Sequence, residues 1–127
     1  MQAAARQIGR AMDNLTKAQR RALRALAETA YRRELGRALE SLENEFGRWR
    51  SGDIDEFALS QLIHEFHDGI SRDLWKWYTL GPLHSAVASA IAASILRRDE
   101  VDSKVLTILE RAIEMYATER DEPGPAE

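Results

Sequence analysis

From Thr16 to Arg50 the chain has no proline, and Leu23, Leu26, Ala30, Tyr31, Leu35, Ala38, Leu42, Phe46 and Trp49 recur close to the 3.6-residue turn. That spacing predicts an amphipathic helix with one apolar face. Its start is marked by Thr16-Lys17-Ala18-Gln19, the Ser/Thr-x-x-Glu/Gln pattern in which two side chains satisfy the free amides of a first turn. A helix of about 34 residues reaches roughly 50 Å at 1.5 Å per residue, longer than a compact domain of this mass is wide. It either breaks, with Gly36 the weakest point, or protrudes and pairs with a partner.

The remainder reads as further helices. Ser51-Gly52-Asp53 is a turn, and Asp53 with Glu56 is an acidic version of the same cap. A second helix is expected from Ile54 to Asp68, with an apolar face that includes Phe57, Leu59, Leu62, Ile63 and Phe66, and with Gly69 as its left-handed terminator. Ser71 would cap a short third helix from Arg72 to Thr79, and Gly81-Pro82 would end it and open a fourth, Pro82 to Arg98. In that fourth helix Ala86, Ala90 and Ser94 are four apart and let another helix come close. Asp99 or Asp102 caps a fifth, Ser103 to Thr118, with Val105, Ile108, Leu109, Ala112, Ile113 and Tyr116 inward. Nothing alternates as a strand would, and Ala, Leu, Glu and Arg abound. The expectation is all-α: a single-domain bundle of about five helices over residues 1–120, a short helical or frayed segment at 3–12, and a disordered tail at 121–127.

A chain of 127 residues is in the size range of one domain with a real core. It contains no cysteine, which excludes disulfides, thiolate metal sites and cysteine nucleophiles, and a cytoplasmic setting is expected. The start, MQAAARQIGRAM, has Arg6 and Arg10 but no apolar run of the kind a secretory signal needs. The longest uncharged stretch, Trp77 to Leu96, is interrupted by Gly81-Pro82 and by His84, Ser85, Ser89 and Ser94, so no membrane span is expected. Charge is uneven: residues 1–37 hold nine Lys/Arg and three Asp/Glu, and residues 38–127 hold nine and eighteen. Such a split suggests an interaction surface, or attraction between the two ends within one chain or between copies.

Three constellations could carry function. In His64-Glu65-Phe66-His67-Asp68-Gly69 two histidines stand three apart, one residue short of the His-Glu-x-x-His spacing of zinc proteases. Both lie on one helical face, and with Asp68 and with His84 from the fourth helix they would give a metal enough ligands. The alternative is a solvated helix end, where histidine complements the helix dipole. Trp75-Lys76-Trp77-Tyr78 points aromatics in different directions, so at least one must lie at the surface, as in partner-binding patches; packing of Trp75 and Tyr78 inside, with Trp77 along a neighbouring helix, is the competing arrangement. Lys17, Arg20, Arg21 and Arg24 form one basic stripe that could meet phosphates of nucleic acid, although a solvated charged face explains it equally well. No phosphate-binding glycine loop, Gly-x-Ser-x-Gly or di-iron Glu-x-x-His pair is present, so an enzyme of those kinds is not expected and no cofactor is implied. The residues point to a helical interaction or regulatory protein that packs against itself or a helical partner. A metal or acid-base site at His64/His67 is the alternative, and nucleic-acid binding through the basic stripe the second.

Overall fold

The computed structural model describes residues 15–121; the expected segment at 3–12 and the tail beyond 121 lie outside them. The described residues form helices and connecting turns without a strand: α1 (Lys17–Arg50), α2 (Glu56–Phe66), a π turn (His67–Ser71), α3 (Arg72–Leu80), α4 (Leu83–Ala92), a 3-10 turn (Arg98–Glu100) and α5 (Ser103–Asp121). The fold is all-α. Because α2, the π turn and α3 follow one another directly, they make four helical runs rather than about five separate helices.

α1 starts as its cap pattern requires: Gln19 N donates to Thr16 Oγ1 at 3.1 Å and Thr16 N donates to Gln19 Oε1 at 3.0 Å. It passes Gly36 unbroken. At its far end Gly52 takes φ 86, Gly52 N donates to Trp49 O, and Asp53 N donates to Arg48 O. This is the paired closure that satisfies carbonyls at a helix end, and it needs a left-handed residue where glycine stands.

The apolar character of α1 lies on two faces in succession, not one. Leu23, Ala27 and Ala30 are buried, whereas from Tyr31 on Leu35, Ala38, Leu42 and Phe46 are only half-buried. At 100° per residue the second set points roughly 100° around the axis from the first. The shift falls between Ala30 and Tyr31, where the chain also divides into two compact units: Met1–Ala30 with Pro82–Glu127, and Tyr31–Gly81.

The first unit holds nearly all of the core. Leu23, Val87, Leu96, Val105 and Leu109 are fully buried, joined by Ala86, Ala88, Ala90, Ile91, Ala112 and Ile113. The leucine, valine and isoleucine side chains among them contribute about 1.5–3 kcal/mol each on burial. α4 and α5 pack on one another, and Ala86 and Ala90 lie buried on α4 as the small-residue spacing implied. α4 stops at Ala92 rather than at Arg98. Ser94 takes φ 59, with Ser94 N donating to Ile91 O and Ile95 N to Ala90 O, so a serine closes α4 in the geometry that glycine provides for α1. The turn brings Ile95 and Leu96 into the core. Asp102 caps α5, its carboxylate accepting from Lys104 N, while Asp99 sits in the 3-10 turn and pairs with Arg97. His84 is half-buried on α4, and burial holds its imidazole below the ordinary value.

In the second unit the cap of α2 is Asp55, not Asp53: its side chain accepts from Ala58 N at 2.8 Å. Gly69 does not take the left-handed conformation expected of it: at φ -99 and ψ -106 it is off the helical region and kinks the chain between α2 and α3. Ser71 accordingly has helical angles and no capping bond, since the amides after it find carbonyls in the preceding turn. Only at Gly81-Pro82 does the run end. There the backbone packs so closely that a Cβ on Gly81 would lie 2.6 Å from Trp77 O.

Candidate functional site: the π turn and the apolar face of residues 31–81

The second unit buries only Leu59 and Leu74. Of the large apolar side chains left exposed among the described residues, Leu39, Trp49, Phe57, Ile63, Ile70, Trp75 and Leu80 all belong to it, and only Met115 does not. Phe57, expected on the inward face of α2, is 85% exposed. It stands two residues before buried Leu59, about 200° round the helix, and so faces away from α1. Half-buried Leu42 links two of the exposed ones, Leu39 and Ile70, through neighbouring depressions. Ala38, Leu42, Leu62, Phe66 and Ile70 line a groove of about 460 Å3 rimmed by Glu45 and Glu65. Leu42 also borders a second depression with Leu39 and Phe46.

The π turn lies beside this surface. His64, His67 and Asp68 are all exposed; His67 Nδ1 is 3.1 Å from Asp68 Oδ1, with side chains 83% and 72% accessible. The third ligand that a metal would need is not brought to them: among the described residues no three His, Asp or Glu side chains converge on a point that could hold an ion. Glu65 accepts from Gln61 instead.

The aromatic cluster divides. Trp75, one of the two expected inside, is 49% exposed, because it lies one residue past Leu74, the position α3 buries, and is turned about 100° away. Trp77 and Tyr78 are half-buried. Tyr78 stacks on Tyr31 with ring centroids 5.1 Å apart and planes 6° from parallel, and its hydroxyl donates to Glu34. Burial, and then the Glu34 carboxylate, push the Tyr78 phenol well above its ordinary value. Beyond this pair Tyr31, His67, Ser71, Arg72 and Trp75 enclose a pocket of about 350 Å3. Sequence reasoning missed Arg72 and the contribution of Tyr31. The four-residue spacing of His67, Ser71 and Trp75 was legible, but the partner supplied from α1 was not.

The basic stripe Lys17, Arg20, Arg21 and Arg24 is exposed throughout. No helix among the described residues is long and apolar enough to cross a membrane. No protein-family model, curated protein or solved structure matches this chain.

Proposed function

We propose that this is a helix-packing interaction protein, acting in the cytoplasm, that associates with itself or with a helical partner through the apolar face of residues 31–81. One observation carries the reading: a unit that buries two large side chains leaves seven exposed, and two of these, Leu39 and Ile70, border apolar depressions that share Leu42. Contiguous apolar surface of this kind marks interaction sites, since scattered single residues would need no explanation. Covering them adds roughly 25 cal/mol per Å2 of apolar area, the main favourable term in association. Sedimentation equilibrium from low to high micromolar concentration tests it. The unaltered chain is expected to exceed monomer mass, and Leu39→Glu/Ile70→Glu, two exposed positions, to return it to monomer with unchanged helicity. A wild-type chain that stays monomeric throughout and binds no helical partner through these residues would refute the proposal.

The exposure of Lys17, Arg20, Arg21 and Arg24 supports a second reading, binding of nucleic-acid phosphates along the first turns of α1. Steeply salt-dependent binding of a DNA or RNA duplex, weakened when the four are changed to Gln, is the expected result; absence of binding at low salt ends it.

A further inference from the structure

We propose that the pocket at the π turn is a binding site for a small planar aromatic carboxylate. Its volume of about 350 Å3 is within the range of pockets that take small molecules, and its walls are built for a flat ring. Trp75 leaves about half its surface open. Tyr31 is braced from behind by the parallel Tyr78 ring, which Glu34 in turn holds by its hydroxyl. An open indole beside a braced phenol offers rigid π surface at little further loss of side-chain freedom.

Charge decides the rest of the ligand. Arg72 makes no hydrogen bond or ion pair among the described residues, so its guanidinium keeps the two parallel donors that match a carboxylate. The His67 imidazole is already met by Asp68. Arg72 is the one guanidinium among the lining residues, and its fork matches a single carboxylate. A phosphate monoester carries about -1.5 to -2 at neutral pH and would bring excess negative charge beside Asp68. The Ser71 hydroxyl adds a neutral donor at the same mouth. Trp75 belongs to both this pocket and the exposed apolar set, but neither Leu39 nor Ile70 lines the pocket, so the substitutions that test self-association leave it intact.

Isothermal titration calorimetry of the full chain at neutral pH with 2-naphthoate tests it, with 2-naphthalenemethanol, cyclohexanecarboxylate and 2-naphthyl phosphate as comparators. Saturable 1:1 binding is expected, with a Kd on the order of 1 mM or tighter for a ligand of this size. The neutral alcohol and the saturated ring should bind at least about tenfold more weakly, and the phosphate more weakly than the carboxylate. Arg72→Gln and Trp75→Ala, at exposed positions, should each reduce affinity about tenfold or more with circular dichroism unchanged. The Trp75 indole N–H resonance, identified by its loss in Trp75→Phe, should shift on titration. No saturable binding by about 20 mM, equal binding to Arg72→Gln, or equal affinity for the alcohol would overturn the site, and tighter binding of the phosphate would overturn the carboxylate assignment.

Discussion

Ser94→Gly should stabilise the protein, and the chain contains its own control. Both α1 and α4 end on a left-handed residue whose neighbours close two amide-to-carbonyl bonds, but α1 uses Gly52 at φ 86 and α4 uses Ser94 at φ 59. A residue with a Cβ loses about 1–2 kcal/mol in that conformation. Glycine avoids this loss but gives up about 0.5–1 kcal/mol more backbone entropy on folding. The difference leaves a net gain of about 0.5–1 kcal/mol for Ser94→Gly, or roughly 2–5 °C in the thermal midpoint for a chain of this length. Gly52→Ala should move by a similar amount in the opposite direction, and since a Cβ there meets nothing within 4 Å, its cost comes from the backbone alone. Urea and thermal unfolding followed by circular dichroism measure both. A fall in stability for Ser94→Gly, or no loss for Gly52→Ala, would refute the reasoning.

The two units should answer to truncation very differently. Leu109→Ala removes a fully buried side chain from α5 and should cost about 2–5 kcal/mol, whereas Leu39→Ala, at a side chain 47% exposed, should change monomer stability by no more than about 0.5 kcal/mol; chemical denaturation of dilute protein distinguishes them. Gly81→Ala should destabilise by about 1–3 kcal/mol, because the added carbon is forced against Trp77 O. Two pH effects follow from the buried rings. Tyr78 is raised above its ordinary 10.0, so its contribution is complete below that pH and is lost as pH rises beyond it, and the advantage of wild type over Tyr78→Phe should shrink between pH 9 and 11 in thermal melts. His84 is lowered from 6.5, so its contribution is present above that value and is lost as pH falls below it; His84→Gln should flatten the acid limb of the stability profile.

Helix start and stop signals survived translation into structure best where they were chemically complete. Thr16 with Gln19 is a reciprocal pair, and both bonds form. Asp53 had an equal claim to Asp55 on the basis of residue type, and only the path of the turn after Gly52 settles which carboxylate reaches an amide. Gly69 has the composition of a left-handed terminator, but glycine permits several unusual conformations, and the one adopted kinks the chain between α2 and α3 instead. At Ser94 the reverse holds: serine gives little sign of a left-handed residue, and the turn is driven by the gain from bringing Ile95 and Leu96 into the core. The change of face on α1 was visible as the single-residue step from Ala30 to Tyr31 in an otherwise wider spacing. The histidine pair shows the limit for the site. Periodicity puts two side chains on a face, whereas a ligand set or a pocket depends on what another helix contributes, as Tyr31 does opposite Trp75.

The π turn also has a consequence at the level of the gene. A π turn accommodates one residue more than the α-helical turn it replaces, so loss of a single codon in His67–Ser71 should leave α3 in nearly its present phase relative to α2, whereas the same loss inside α3 would rotate every later side chain by about 100°. Arg72, Trp75 and Tyr78 would keep their directions in the first case, and Trp75 and Tyr78 would lose them in the second. Deleting Gly69, compared with deleting Asp73, would test whether binding and stability depend on that phase rather than on chain length alone.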